Sequence, residues 1–255
     1  MLGERLRIPI WREGRVALER AALLRDPLLR GAGVQRGDGA PVLMIPGFLA
    51  GDLSLTVMAR WLRDVGYRPC RAGIRANVDC TERALVRLED QLERFAERHE
   101  RRVRIVGHSR GGTMARVLAV RRPDVVEGII CLGAPMTDQL EVHPFVRSQV
   151  RTVALLGTLG VPGLFSFGCG GSCCAQATAD ASAPFPAGVA FTSIYSRSDG
   201  IVAWRACLDP AADQVEVQSS HVGMAVNADV FRAVATALAG NRPGAAVDQP
   251  MEAAA

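Results

Sequence analysis

A serine in the middle of the chain has a local sequence that suits a catalytic nucleophile. Ser109 lies in Gly-His-Ser-Arg-Gly (107–111), after the apolar stretch "VRIV" and before "TMARVLAV". A G-x-S-x-G pattern between a strand and a helix is typical of a nucleophile on a sharp turn, because the glycines let strand and helix approach closely. The alternative is a serine that only caps the helix through its hydroxyl. A base and an acid downstream would decide between them.

The base is predicted to be His221. The sequence has four histidines, and His221, in "VEVQSSHVGM", follows the last predicted strand. That position is the carboxyl edge of a parallel sheet, where such sheets build their sites. His99 follows a charged helix face, His108 belongs to the serine turn, and His143 lies in a long insertion, so these three are weaker candidates.

The acid is predicted to be Asp199, in "FTSIYSRSDGIV", directly after the preceding strand. An aspartate before glycine is also common in ordinary turns. Asp209 and Asp213 therefore remain alternatives.

Two backbone N–H groups are candidates for the oxyanion hole. Pro46-Gly47-Phe48 follows the first predicted strand, which would place the Phe48 N–H beside the nucleophile. The second donor would be the N–H of Arg110, the residue after the serine.

The elements around these residues alternate between apolar strands and amphipathic helices. Strands are predicted over 41–46, 67–72, 102–107, 125–133, 189–196 and 214–218, and helices over 52–66, 81–99, 109–122 and 227–240. The helix over 81–99 is expected to open on a threonine cap. This alternation predicts an α/β fold with a mostly parallel central sheet and helices on both faces.

Three segments flank or interrupt this rhythm. Residues 1–40 are predicted to be a helical segment and linker, 41–240 the main domain, and 241–255 a flexible tail. The interval 136–188, here called the insertion, combines an apolar helix with "GCGGSCCAQATADASAPFP". We expect it to be a lid over an apolar cleft. The alternative is a helix packed over the sheet with a loose connector.

Taken together, "VLMIPGF", "VGHSRGG", "SIYSRSDGIV" and "SSHVGM" resemble the α/β-hydrolase superfamily, and more closely its bacterial lipase and esterase branch. The resemblance covers about residues 41–240 and includes the chain order Ser109, Asp199, His221. It implies a minimal α/β-hydrolase fold that lacks the first hairpin. The sequence departs from many of these lipases in having Pro46-Gly47 where they carry His-Gly.

The resemblance implies hydrolysis of carboxylic esters through an acyl-enzyme, with no metal and no organic cofactor. The substrate would be a small-molecule or lipid ester, and transient contact with a lipid surface is expected through the insertion. Besides Phe48, candidate wall residues are Leu49, Leu159, Phe165 and Phe167. An acyltransferase, thioesterase or amidase would use the same triad. A hydrolase-like binding protein without catalysis is the alternative from another class.

Composition narrows the class of protein. The chain has 255 residues, 49% of them hydrophobic and 22% charged, which is typical of a globular protein. All 30 basic residues are arginines, scattered among 26 acidic residues, so the sequence predicts no nucleic-acid partner. No apolar run could span a membrane, and the N-terminus lacks the apolar core of a secretion signal, so we expect a cytoplasmic protein unless a signal was removed.

The seven cysteines match no zinc spacing. We expect them to be buried apolar residues or free thiols: Cys70, Cys80, Cys131, Cys169, Cys173, Cys174 and Cys207. A disulfide from the group Cys169, Cys173 and Cys174 to Cys80 or Cys207 stays open, because spacing cannot fix connectivity. The sequence does not indicate an oligomeric state.

Overall fold

The computed structural model describes residues 8–240, and its centre is a six-stranded sheet in which all strands are parallel. The strands are β1 (Pro41–Ile45), β2 (Arg68–Arg71), β3 (Val103–His108), β4 (Val126–Leu132), β5 (Ala190–Tyr195) and β6 (Asp213–Glu216). Their order in the sheet is β2-β1-β3-β4-β5-β6. The predicted fold class is confirmed, and each strand lies within two residues of its predicted bounds.

Burial explains which strands the sequence marks most clearly. Every residue of β1 and β3 is buried, and both are continuous apolar runs apart from Arg104 and the residues of the serine turn. Parallel strands covered by helices on both faces have this composition. The edge strands β2 and β6 are short and largely exposed, so their sequences are mixed.

Seven α-helices cover the two faces of the sheet in the described residues. They are α1 (Val16–Arg25), α2 (Thr56–Asp64), α3 (Thr81–His99), α4 (Arg110–Arg121), α5 (Pro144–Thr158), α6 (Ala175–Ser182) and α7 (Ala228–Gly240). On one face α1, α2 and α7 pack around Leu23, Trp61 and Phe231. On the other face α3, α4 and α6 pack around Leu88 and Leu118. Short 3₁₀ helices extend several of the helices or occur in the connections.

The N-terminal segment packs against the main domain. Its helical parts are a 3₁₀ turn over Ile10–Arg15, then α1, then a second turn over Pro27–Arg30. Leu23 is fully buried in the core described above, and the carbonyl of Leu28 accepts a hydrogen bond from the indole N–H of Trp61 at 3.0 Å. The predicted tail over 241–255 lies outside the described residues, as do residues 1–7.

The helix start that we predicted to be capped by threonine is different. Thr81 is the first residue of α3, and Cys80 occupies the capping position without a side-chain cap. The Thr81 hydroxyl instead accepts a hydrogen bond from the guanidinium of Arg110 at 3.0 Å. That partner lies 29 residues downstream, so the local sequence could not indicate it.

The insertion between β4 and β5 contains two helices in different surroundings. Helix α5 is mostly exposed, with Val153 and Ala154 as its buried residues. Helix α6 packs against α4, where Asp180 accepts a hydrogen bond from Arg121 at 2.6 Å. The lid role of the insertion stays a prediction. Within residues 8–240 no helix is long and apolar enough to cross a membrane.

Candidate active site

Ser109 has a backbone conformation that side chains rarely adopt. It joins β3 to α4 with φ 51° and ψ −123°, and its N–H donates to the carbonyl of Leu132 at the end of β4 at 2.8 Å. A non-glycine residue at positive φ is strained, and such strain is often found at functional sites. Its hydroxyl makes no cap hydrogen bond to α4. The alternative of a helix-capping serine is therefore wrong.

The glycines around the serine are required by close contacts. A Cβ on Gly107 would collide with the backbone of Gly111, and a Cβ on Gly111 would collide with the carbonyl of Ile45. Gly47 also lies against the turn, since a Cβ there would be 3.1 Å from the Cβ of Ser109. The loop after β1 thus reaches the serine, as the prediction for Phe48 requires. The oxyanion roles of the Phe48 and Arg110 N–H groups stay predictions.

Asp199 and His221 form a buried pair. The Nδ1 of His221 lies 2.7 Å from Oδ2 of Asp199, and each residue is 4% exposed. The other carboxylate oxygen, Oδ1, accepts from the N–H groups of Ile201 and Val202 at 2.8 and 2.7 Å. Asp199 is therefore held by its own loop while it fixes the orientation of the His221 ring through Nδ1.

The alternative acids are placed elsewhere. The carboxylate of Asp209 accepts a hydrogen bond from Arg116 at 2.9 Å in a buried ion pair. Asp213 is an exposed residue at the first position of β6.

His108 links the serine turn to the histidine loop. It precedes Ser109, its Nε2 lies 3.0 Å from the carbonyl oxygen of His221, and the two rings are 4.8 Å apart. Burial, and next the neighbouring His221, lower the pKa of His108 to about 3. It is thus neutral at physiological pH and can donate its ring N–H to that carbonyl.

Glu13, which the sequence analysis missed, binds the loops of both members of the buried pair. Its Oε1 accepts from the N–H groups of Gly200 and His221 at 2.8 and 2.9 Å, and its Oε2 accepts from Val222 at 2.8 Å. Burial opposes protonation of His221, but the charge and hydrogen bond of Asp199 and then the charge of Glu13 outweigh it, so the pKa of His221 is raised.

Glu19 supports the same loop one residue earlier and was also missed. It is buried, and its carboxylate accepts from the N–H of Ser220 at 2.8 Å and from the hydroxyl of Ser220 at 2.7 Å. Nothing in the sequence indicates a role for either glutamate. Both lie in the arginine-rich N-terminal segment, about 200 residues from the residues that they bind.

A cavity of about 390 Å³ opens at Ser109. Three of the candidate wall residues, Phe48, Phe165 and Phe167, line it, and α5 contributes Val146, Val150 and Ala154 from one face. Their role in binding a substrate stays a prediction. The size of the cavity is in the range of small-molecule sites.

Two predicted wall residues are not part of this cavity. Leu49 and Leu159 are 46% and 72% exposed and do not line it. Leu49 lies in a turn with φ 58°, and Leu159 follows the last residue of α5.

The guanidinium of Arg110 makes its contacts within the protein and is not presented to a charged group at the opening of the cavity. Its guanidinium donates to the carbonyls of Asn77 and Asp79, both at 2.7 Å, and lies 5.4 Å from the ring centre of Phe165. Burial lowers its pKa to about 10, so it stays charged at neutral pH. The side chain fastens the segment before α3 to the serine turn.

Comparisons with known proteins agree with this architecture. The family model of the PGAP1-like alpha/beta domain matches residues 78–151, which include the serine turn. No curated protein sequence is similar enough to count as a match.

Solved structures resemble the whole fold at low sequence identity. The mature form of lipase BlEst2 from Bacillus licheniformis is 14% identical with a TM-score of 0.57, covering 81% of this chain and 94% of its own. A monoacylglycerol lipase from Paleococcus ferrophilus is 13% identical with a TM-score of 0.54, covering 80% and 97%. Tomato methylketone synthase I, as a variant complexed with beta-ketoheptanoate, is 9% identical with a TM-score of 0.58, covering 80% and 98%. At these identities the comparisons establish the fold, and the differing names show that the reaction must be argued from the site.

Proposed function

We propose that the chain is a serine hydrolase of the α/β-hydrolase superfamily that cleaves carboxylic esters, which the PGAP1-like family match over residues 78–151 and the fold shared with lipases support. The observation that carries the proposal is Ser109 itself. It is held at positive φ on the turn between β3 and α4, its hydroxyl does not cap the helix, and it faces an apolar cavity. A strained turn of this kind is retained where the exposed hydroxyl is used.

The proposed mechanism has two acyl-transfer steps. His221 takes the proton of the Ser109 hydroxyl as the oxygen attacks the ester carbonyl, and Asp199 holds the imidazole through Nδ1, so that Nε2 is the base. The tetrahedral oxyanion would be stabilised by the N–H groups of Phe48 and Arg110. Protonated His221 gives its proton to the departing alcohol. Water, deprotonated by His221, then cleaves the acyl-enzyme and restores the serine.

The cavity supports an apolar acyl group as the substrate part bound beside the serine. Valine and alanine side chains of α5 and the ring of Phe165 form its wall. Burying an apolar chain there contributes about 0.8 kcal/mol per methylene group. We expect activity on p-nitrophenyl esters to rise from acetate to esters of medium chain length, and to fall when the chain outgrows the cavity.

The insertion further supports contact with a lipid surface. Beyond the cavity wall, α5 and the residues after it expose large apolar side chains: Phe145, Leu155, Leu156, Leu159 and Val161. An exposed apolar patch of this kind is typical of an interaction site, and its position beside the opening suits a substrate that enters from a lipid phase.

Substitution of the serine tests the proposal. Ser109→Ala is expected to lower the kcat for p-nitrophenyl butyrate by about a thousandfold or more, and to abolish labelling by a fluorophosphonate probe, because the nucleophile is removed. The matched control is Ser54→Ala, which removes an exposed hydroxyl bonded to the carbonyl of Gly51.

Two results would contradict the proposal. One is a Ser109→Ala protein that keeps the activity of the wild type. The other is a folded wild-type protein that neither hydrolyses any ester of the series nor takes the probe, which would favour a binding protein instead.

A further inference from the structure

Four cysteine thiols meet beside the cavity. Cys80, Cys169, Cys173 and Cys174 have Sγ atoms that all lie within 4.8 Å of one another. Cys80 comes from the residue before α3, and the other three come from two 3₁₀ turns of the insertion, over Phe167–Gly170 and Ser172–Cys174. The remaining cysteines, Cys70, Cys131 and Cys207, are not members of this cluster.

The sulfur separations fit a shared metal ion. The distance from the Sγ of Cys80 is 3.6 Å to that of Cys173 and 3.5 Å to that of Cys174, and the last two are 3.6 Å apart. A disulfide needs a sulfur separation of about 2.0 Å, and all seven cysteines are free thiols. Four thiolates around one zinc ion, each with a Zn–S bond of about 2.3 Å, lie about 3.8 Å apart in a tetrahedron. The three separations among Cys80, Cys173 and Cys174 are close to that edge length, and the Sγ of Cys169 lies within 4.8 Å of all three.

We infer that Cys80, Cys169, Cys173 and Cys174 form a structural zinc site that fastens the insertion to the start of α3. Four cysteine ligands leave no open position for water, which is the arrangement of a structural zinc site. Thiolates select soft or borderline metals, and zinc fits a tetrahedral set without redox chemistry.

The surroundings suit such a site. Cys80 and Cys174 are buried whereas Cys173 is exposed, which gives an ion a path of entry. The Sγ of Cys169 accepts a hydrogen bond from the N–H of Ser166 at 3.5 Å, as thiolate ligands commonly do. The guanidinium of Arg110 donates to the residues on both sides of Cys80, so a positive charge flanks the thiolates.

The zinc would fix the position of one wall of the cavity. Cys169 lines the cavity together with Phe165, Ser166 and Phe167. An ion shared with Cys80 would therefore hold that wall against the segment before α3. The proposal does not depend on esterase activity, because metal content and thiol protection are measured without turnover.

The cysteine spacing in the sequence predicts no metal site, and the fold explains why this cluster is not visible there. Zinc spacings are recognised from two local pairs of ligands. Here one ligand stands alone before α3, and two of the other three are adjacent residues.

Metal analysis of the full-length protein tests the inference. The protein is purified under reducing conditions, without an immobilised-metal column, and zinc is measured by mass spectrometry. We expect about one zinc per chain in the wild type and in Cys70→Ser, a matched control outside the cluster. Cys173→Ser and Cys174→Ser should each retain less than a tenth of this zinc after dialysis against a mild chelator.

If the Cys173→Ser and Cys174→Ser proteins fail to fold, binding of cobalt can be measured on the wild-type protein. Wild-type protein from which metal has been removed with a chelator is titrated with Co²⁺. We expect thiolate-to-cobalt charge-transfer bands and the visible bands of tetrahedral cobalt, and both should stop increasing at one equivalent of Co²⁺. Removal of the metal should increase the number of thiols that react with a thiol reagent, whereas the buried Cys131 and Cys207 should resist it in both states. Wild type with no zinc and no cobalt bands, an equimolar iron content, or a disulfide of Cys80 found by peptide mapping would overturn the inference.

Discussion

At the scale of single residues, the pKa of the proposed base, His221, depends partly on Glu13, a residue near the beginning of the sequence. Glu13 accepts hydrogen bonds from the backbone around both Asp199 and His221, and its charge raises the pKa of His221. A general base works only when neutral, so a raised pKa moves the acid limb of the rate profile to a higher pH than the ordinary value of 6.5 would give.

Glu13→Gln is therefore expected to move this acid limb to lower pH, because the remaining histidine is easier to deprotonate without the nearby negative charge. The loss of a charged acceptor for the loop should also lower kcat by about tenfold. The measurement is the pH dependence of kcat/KM on a soluble p-nitrophenyl ester. Glu97→Gln, an exposed change on α3, serves as the control. An unmoved or upward-shifted limb in Glu13→Gln would show that this carboxylate does not act on the base.

A site residue could be predicted from the sequence when a nearby element determines its position, and not when a contact with a distant segment does. Ser109, Asp199 and His221 could be selected because each lies within about five residues after the end of a strand, and the ends of parallel strands meet at one edge. The structure brings Asp199 and His221 together and places Ser109 at the cavity, while the triad stays our proposal. Glu13 and the cysteine cluster depend on contacts between distant segments, and no local spacing records those.

At the scale of elements, the core was easier to predict than the insertion. Strands β1, β3 and β4 are marked by apolar runs, and α3 by its periodic apolar face, because burial dictates their composition. Helix α5 contains four consecutive apolar residues, Val153–Leu156, of which the first two are buried and the last two exposed, so its pattern could not show which residues face the cavity. Leu159, a candidate wall residue, lies outside the cavity, whereas Ala154, five residues earlier, lines it.

The outer side of α5 gives a test of the proposed contact with lipid. Replacing Leu155 and Leu159 together by serine removes two exposed apolar side chains that do not line the cavity. Turnover of an ester bound to lipid vesicles should fall by about tenfold or more, since full burial of even one such side chain contributes about 1.5–3 kcal/mol and a tenfold change is about 1.4 kcal/mol. Turnover of a soluble ester should change far less. Val86→Ser on α3 is the control, and equal losses on both substrates would argue against a lipid-contact role.

At the scale of the whole molecule, the N-terminal segment belongs to the same folding unit as the site. Leu23 is part of the core beneath the sheet, and Glu19 binds Ser220 directly before His221. Stability and site geometry are thus coupled through one buried side chain. Glu19 is 7% exposed, so its loss would leave the N–H and hydroxyl of Ser220 without their acceptors away from water.

Glu19→Ala is accordingly expected to lower the free energy of unfolding by about 2–4 kcal/mol, because two buried hydrogen bonds to a carboxylate are lost. The measurement is chemical denaturation, with the midpoint falling while the denaturant dependence stays constant. Glu97→Ala, at an exposed position of α3, should change the same quantity by less than about 0.5 kcal/mol. If the two variants are equally stable, the N-terminal segment does not contribute to the folded domain in the way that the contacts of Glu19 indicate. If only Glu19→Ala is destabilised, its remaining folded fraction should also show lower kcat on soluble esters, since the loop that carries His221 has lost its support.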